Sequence, residues 1–170
     1  MASVKKTTLM LAKQARKDLL LSLATTRMAK NSKVVTREAD GGFTIRLPFP
    51  PTPASRPRVT RWGTYYTKTY KAYRDLADKA IPKSRQPALL GNLRATIEFV
   101  CNKPKTTKRQ NPRGDLDNHC KAILDAVTGV KKIELKGYWN DDDQITELNA
   151  LKRWQHPDEE PHTRIRIEPL

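Results

Sequence analysis

Six aspartates are concentrated in two short stretches of a strongly basic chain. The chain has 33 lysines and arginines against 18 aspartates and glutamates, a formal net charge of +15. Two carboxylates about 4 Å apart repel by about 4 kcal/mol at an effective dielectric constant of about 20, and a divalent cation between them reverses the sign. The clustered acids therefore predict a bound hard metal ion. They are Asp115, Asp117, Asp125, Asp141, Asp142 and Asp143.

The ligand types favour Mg²⁺, with Mn²⁺ as an alternative, because all are carboxylate oxygens and no pair of histidines accompanies them. These ions retain water molecules and share phosphate oxygens with a substrate, and phosphodiester hydrolysis depends on such an arrangement. Lys121 follows Asp117 by one helical turn, so its ammonium group can be directed at a phosphate oxygen or a leaving group. The pattern predicts metal-dependent phosphodiester hydrolysis.

Both acidic stretches also have a purely structural interpretation. Aspartates at a helix start cap the helix and offset its dipole, which is worth about 0.3–1 kcal/mol each. The run from Asp141 to Asp143 follows Asn140 and could form a solvated turn. Because the acids occur together with basic segments that contain no acid, we favour catalysis. The alternatives are a non-catalytic DNA-binding protein with a structural acidic turn, and a general RNA-binding module.

Two basic segments predict contacts with a nucleic acid backbone. Lysines and arginines that neutralise phosphates release condensed counterions, so a chain with a pI near 10.0 accumulates on polyanions. The first segment, before Asp75, interleaves basic and aromatic residues, which suits contact with phosphates and bases. The second lies between residues 102 and 114. The candidate phosphate contacts are Arg56, Arg58, Arg61, Lys68, Lys105, Lys108, Arg109 and Arg113.

Periodic stretches between these segments predict the elements that hold them. Alternating apolar residues predict strands at 43–47 and 93–101, and two further extended segments are expected at 144–154 and 163–168. Prolines between positions 48 and 57 predict a stiff irregular loop over 49–58. Regularly spaced tyrosines predict the buried stripe of a helix over 67–80.

A helix over 116–128 is predicted to carry the first acid pair. Asp115 is a suitable N-cap and Gly129 a suitable stop. Asp115 and Asp117 lie two residues apart across the helix start, so both carboxylates can reach one ion there. The core-facing stripe expected on this helix consists of Leu116, Cys120, Ile123, Leu124 and Val127.

The first 42 residues are predicted to form a basic N-terminal extension, and residues 43–170 a folded domain. The first forty residues carry nine basic and three acidic side chains. Apolar positions between residues 9 and 28 fit one amphipathic helix, and a partly disordered basic arm is an equal alternative. The polar stretch 31–42 is typical of a linker.

The composition excludes several classes of protein. A chain of 170 residues can bury a sufficient core without a disulfide or a structural metal. No apolar run approaches the roughly 18 residues of a membrane-spanning helix. The only cysteines, Cys101 and Cys120, indicate a reducing compartment such as the cytoplasm and lack the spacing of a zinc site. The glycine loops of nucleotide hydrolases and the nucleophile elbow of serine hydrolases are missing.

Two stretches around the aspartates resemble a known family. GDLDNHCKAILDAVTG, at residues 114–129, and YWNDDDQI, at 138–145, are similar to the core signature of RusA-like Holliday junction resolvases, endonucleases that cut branched DNA. LPFPPTP and the later TKTYKAYRD resemble the N-terminal region of that family. The resemblance therefore spans about residues 43–168.

This resemblance implies an α+β fold, a small mixed sheet packed with helices, in a homodimer. It also implies Mg²⁺ dependence and paired, symmetric nicks across a four-way junction during recombination and repair, in the cytoplasm of a bacterial or phage-infected cell. Two active sites related by a twofold axis suit a junction of near-twofold symmetry.

Residue roles also follow from the resemblance, position by position. The family's essential carboxylates match Asp115, Asp117 and Asp142, and its catalytic lysine matches Lys121. Asp141 matches the other acid of the family's paired aspartates and is expected to assist the metal. The motif positions matched by Asp125, Asn118 and Gln144 are expected to be supporting or structural.

Overall fold

The computed structural model describes residues 34–61, 63–128 and 136–170, which contain seven strands and two α-helices. In chain order, the strands are β1 (Val35–Arg37), β2 (Phe43–Leu47), β3 (Arg58–Thr60), β4 (Gly63–Tyr65), β5 (Leu93–Cys101), β6 (Ile145–Trp154) and β7 (His162–Pro169). The helices are α1 (Lys68–Ala80) and α2 (Leu116–Thr128), and a short 3₁₀ helix covers Asp142–Gln144.

Five strands form one mixed sheet in the order β1-β2-β7-β5-β6, and β3 and β4 form a separate hairpin. Among the described strands of this sheet, β5 and β6 are the one parallel pair. Parallel neighbours need a crossover connection, and here that connection contains α2. The start of α2 therefore lies near the C-terminal ends of β5 and β6, and its end lies near the start of β6.

The core is built from one face of the sheet and the inner sides of both helices. Alternate residues of β5, including Leu93, Ala95 and Ile97, are at most 1% exposed, which is the period of a half-buried strand. Burying a large aliphatic side chain contributes about 1.5–3 kcal/mol. The other face of the sheet is charged, and Arg94 there bonds Glu147 and Glu168. This packing fixes α2, and with it the aspartates, on the sheet.

The expected α+β fold is confirmed, and so are its main elements. The helix expected over 67–80 begins one residue later, where the Thr67 hydroxyl accepts a hydrogen bond from the Tyr70 amide (3.4 Å). The helix expected over 116–128 has those bounds. The strands expected near 43–47, 93–101, 144–154 and 163–168 are β2, β5, β6 and β7.

Three expectations need correction. Residues 35–37 pair with β2, so part of the stretch interpreted as a linker belongs to the sheet. The loop that begins with the prolines leads into the β3–β4 hairpin, which the sequence did not indicate. Leu116 is 37% exposed instead of buried, and His119 takes a place in the core at 2% exposure. The helix expected between residues 9 and 28 lies outside the described residues.

Membrane crossing has no structural support in these ranges. Within residues 34–61, 63–128 and 136–170, neither helix combines the length and the apolarity that a membrane span needs.

Candidate active site

Two exposed aspartates mark the start of α2. The carbonyl of Asp115 accepts the first helical hydrogen bond, from the His119 amide (3.2 Å), as expected for a residue at the N-cap position. The Asp115 carboxylate accepts from the side-chain amide of Asn118 (3.4 Å), and the Asp117 carboxylate accepts from the Asn118 backbone amide (2.8 Å). One asparagine therefore contacts both acids and holds them at the same helix end.

The turn before Asp115 is held by its surroundings. Gly114 has φ +86, and a Cβ atom there would lie 2.9 Å from Cγ of Pro53 and 3.1 Å from Nε2 of His119. The Lys152 ammonium group, on β6, donates to the Gly114 carbonyl. The backbone amide of Ala54 donates to the Asn118 carbonyl (2.8 Å), so the proline-rich loop also packs on this turn.

His119 supports the same turn from inside the core. Its Nε2 atom lies 3.3 Å from the Arg113 carbonyl oxygen, and its ring contacts Phe99 with centroids 5.2 Å apart. Its Nδ1 atom is buried without a hydrogen-bond partner among the described residues. Burial lowers the pKa of His119 below its ordinary value, so the imidazole is held neutral.

Asp142 lies at the opposite end of α2. Its Oδ1 atom accepts from the Thr128 hydroxyl, on the last residue of the helix, and from Nε1 of Trp139 (3.2 Å). Gln144 stabilises the turn around it, because its side-chain oxygen accepts from the Asn140 amide (2.7 Å) and the Asp141 amide (3.2 Å). Asp141 itself is exposed.

The acids do not converge within one chain. Thr128 follows Asp117 by eleven positions, so about 16 Å of helix lies between the first acid pair and the partner of Asp142. In the described ranges, no group of three or more histidines, cysteines, aspartates or glutamates could hold a metal ion. Within one chain, Asp142 therefore lies apart from Asp115 and Asp117. The assignment of Asp115, Asp117, Asp141 and Asp142 as ligands stays a prediction.

Lys121 lies on the exposed side of α2 between these two ends. Its ammonium group bonds Oδ1 of Asp125 (3.2 Å), one turn further along the helix. The second oxygen of Asp125 accepts from the Tyr70 hydroxyl (3.2 Å), on α1. Burial and the nearby Asp125 raise the pKa of Tyr70 well above its ordinary value, so the phenol remains the donor.

All eight candidate phosphate contacts are exposed. The second basic segment leads directly into the start of α2, and the Arg109 carbonyl accepts from Nε1 of Trp154 at the end of β6 (3.1 Å). Arg58 lies on the β3–β4 hairpin and Lys68 begins α1. The set is Arg56, Arg58, Arg61, Lys68, Lys105, Lys108, Arg109 and Arg113. The fold thus presents basic loops on the surface, and their contact with phosphates stays a prediction.

Several supporting residues carried no signal in the sequence. Lys152 lies outside the recognised motifs and Thr128 lies inside the first of them, but the local spacing of neither residue indicates its partner. Trp139 belongs to the motif at 138–145 and is 1% exposed, but local spacing did not indicate its bond to Asp142. Such roles depend on tertiary packing, which local spacing does not encode.

A basic α+β protein with exposed basic loops and paired aspartates at a helix start fits the general class of nucleases. Comparison with known proteins narrows this class. The sequence profile of "Endodeoxyribonuclease RusA" matches residues 48–168. The chain therefore belongs to the RusA family of endodeoxyribonucleases.

Named relatives agree with this assignment. A crossover junction endodeoxyribonuclease RusA of Escherichia coli is 30% identical over 110 residues, which covers 65% of this chain and 82% of the relative. The protein of the same name from Enterobacteria phage 82 is 31% identical over the same shares. A relative from Shigella sonnei is 30% identical.

Proposed function

We propose that this protein is a metal-dependent, structure-selective endonuclease that resolves four-way DNA junctions by paired phosphodiester hydrolysis. The observation that carries the proposal is the exposed Asp115 and Asp117 pair at the start of α2, in a chain whose family consists of endodeoxyribonucleases. The names of the relatives, which act on crossover junctions, support branched DNA as the substrate.

The residues at the start of α2 fit a hard cation. Each carboxylate has about four lone-pair sites, and the contacts with Asn118 use only part of them. Asp115 and Asp117 would hold Mg²⁺, with Mn²⁺ as an alternative. When bound, such an ion lowers the pKa of its water and offsets charge on the phosphate. Lys121 would stabilise charge on a phosphate oxygen or on the leaving group.

The distance between the two ends of α2 supports a homodimer in which Asp142 of the partner subunit completes the site. A catalytic Mg²⁺ site is typically held by few carboxylates together with substrate oxygens, and a third acid increases its affinity. Within one chain, Asp142 is tied to Thr128 about 16 Å along the helix. A second copy could supply the missing carboxylate without a change in either chain.

The edge of the sheet suggests how two copies would join. β6 is a ten-residue edge strand of the described sheet, and Leu148 and Leu151 on it are each 49% exposed. A long, partly apolar edge is a template for pairing with another strand. Antiparallel pairing of two β6 strands about a twofold axis places the start of one beside the end of the other.

This pairing would bring Asp142 of one copy close to Asp115 and Asp117 of the other, at two sites in each dimer. Asp142 comes three residues before β6, and the start of α2 is tied to the end of β6 by the bond from Lys152 to Gly114. The start of one β6 would therefore carry Asp142 toward the acid pair of the other copy. Two such sites match a junction of near-twofold symmetry.

Cleavage of a synthetic four-way junction by the purified chain tests the proposal. We expect symmetric nicks with Mg²⁺ and none with EDTA. Asp117→Asn should abolish cleavage, while junction binding persists or tightens because a negative charge near phosphate is lost. Asp158→Asn, at another exposed aspartate, serves as the matched control and should cleave normally.

Two results would overturn the proposal. Nicking by Asp117→Asn at the parental rate would reject the catalytic assignment, and binding without cleavage under all metal conditions would favour a non-catalytic DNA-binding protein. Gel shifts at matched salt distinguish the RNA-binding alternative, which predicts equal affinity for single-stranded RNA and branched DNA.

A further inference from the structure

Two carboxylates on α2 each lie about one helical turn from Lys121. Asp117 lies four residues before it and Asp125 four residues after it, and side chains at either spacing are neighbours on a helix surface. The structure pairs the ammonium group with Asp125, at 3.2 Å. The lysine side chain is 67% exposed and the aspartate side chain 30% exposed, so the pair lies at the surface with the aspartate on its inner side.

The orientation of Asp125 is set by the other helix. The Tyr70 hydroxyl donates to Oδ2 of Asp125 at 3.2 Å, while Oδ1 accepts from Lys121. Tyr70 is 2% exposed, and its ring packs edge-to-face with Tyr66 at a centroid distance of 5.4 Å. The guanidinium group of Arg74 lies 5.8 Å from the Tyr70 ring centroid. A buried, packed side chain therefore fixes the carboxylate to which the exposed lysine is bound.

We propose that Asp125, oriented by the Tyr70 hydroxyl, is a positioning residue that keeps the Lys121 ammonium group away from Asp117 and available to the DNA phosphate. The inference rests on the proposed function, because it assigns Lys121 to the phosphate and Asp117 to the metal. It adds a defined task for two residues, one from each helix.

The hydrogen-bonding capacity of the Lys121 ammonium group explains why a positioning residue is needed. An ammonium group has three donors, so a bond to Asp125 leaves two for phosphate oxygens. If Asp125 were free to turn away, the nearest alternative acceptor on the helix would be Asp117. A lysine on Asp117 would neutralise a metal ligand and compete with the cation. Tyr70 therefore favours metal binding without touching the metal.

A double-mutant cycle between Tyr70 and Lys121 tests this coupling. Tyr70→Phe removes the donor to Asp125 without any change in charge. We expect this variant to weaken Mn²⁺ binding by the chain about threefold to tenfold, the net effect of one ordinary hydrogen bond, as measured by titration calorimetry without DNA. In the Lys121→Met background, the same change should leave Mn²⁺ affinity unaltered, because no ammonium group remains to compete.

Tyr73→Phe is the matched control. Tyr73 lies on the same helix, is 3% exposed and packs against Phe49 at a centroid distance of 5.8 Å. Its substitution removes a buried phenol hydroxyl whose side-chain partner is Thr163 instead of Asp125. We expect Tyr73→Phe to have the same effect on Mn²⁺ affinity with and without Lys121. In the cleavage reaction, Tyr70→Phe should lower kcat and leave KM for the junction unchanged.

The outcomes separate this inference from the function on which it rests. If the parent binds Mn²⁺ and cleaves junctions, but Tyr70→Phe weakens Mn²⁺ binding equally with and without Lys121, Tyr70 is merely structural and the inference fails alone. A parent that neither binds Mn²⁺ nor cleaves overturns both. Loss of Mn²⁺ affinity only when Lys121 is present supports the positioning role, and Asp125→Asn should show the same dependence on Lys121.

Discussion

The ammonium group of Lys152 donates a hydrogen bond to the carbonyl oxygen of Gly114, one residue before the aspartates at the start of α2. An edge strand and a helix start, 38 residues apart in the chain, are thereby held together. Pro53 and His119 pack against the same turn at Gly114. The position of the acid pair is therefore set by β6 and the proline-rich loop, together with His119 of α2 itself.

Gly114→Ala should disturb this turn. The residue has φ +86, and an added Cβ would lie 2.9 Å from Pro53 and 3.1 Å from His119. For a residue with a Cβ atom, the left-handed backbone conformation alone destabilises the fold by about 1–2 kcal/mol. The close contacts of the Cβ atom add to this cost. We expect lower stability in denaturant unfolding, together with weaker Mn²⁺ binding.

Gly91→Ala provides the matched control for that variant. Gly91 has φ +75, but a Cβ atom there would meet nothing within 4 Å. The loss of stability in Gly91→Ala therefore measures only the cost of the left-handed backbone conformation. Equal loss of stability and unchanged Mn²⁺ affinity in both variants would show that the packing around Gly114 does not position the acids.

The loop at 102–114 should account for part of the salt dependence of DNA binding. Lys108 is exposed there, and each phosphate contact contributes about 0.9 to the slope of log affinity against log salt on duplex DNA. Lys108→Ala should reduce the slope by about 1 and weaken binding to all sequences alike. Lys83→Ala, at an exposed lysine outside both basic segments, should leave the slope unchanged. An unaltered slope for Lys108→Ala would remove this residue from the interface.

Elements with a strong local period were predictable from the sequence. Both helices and β5 show regular apolar spacing, and their bounds agree with expectation to within one residue. The signal is local because one buried face fixes the pattern along a single element. The acidic motifs were likewise visible as spacing, and their positions on α2 and the following turn agree with it.

Relationships between elements were not predictable in the same way. β1 has three residues and a mostly exposed pattern, so it is held by pairing with β2 instead of by its own apolar residues. The separation of Asp142 from Asp117 depends on the crossover between β5 and β6, which no local pattern encodes. The bond between Tyr70 and Asp125 joins residues 55 positions apart. Long-range packing determines all three.

The thiol of Cys101 should react slowly with alkylating agents because it is buried. Burial raises the pKa of Cys101 to about 11, and Cys101 is 8% exposed. Since the thiolate is the nucleophile, alkylation by iodoacetamide should rise about tenfold per pH unit between pH 8 and 10. Cys120→Ala isolates this thiol for mass spectrometry. A plateau in rate below pH 10 would contradict the raised pKa.

Complementation between two inactive variants tests whether the sites are shared between subunits. In a mixed dimer of Asp117→Asn and Asp142→Asn chains, one shared site carries both substitutions and the other carries neither. We therefore expect the mixture to recover nicking of one strand per junction, although each variant alone is inactive. Sites built within single chains would each keep one substitution, so the mixture would stay inactive. Mixing Asp117→Asn with Asp115→Asn serves as the control, since each shared site then lacks one acid and no activity should return. Recovery in both mixtures would show that a site with one substituted acid keeps activity in the mixed dimer. It would then give no support to a site completed across the dimer.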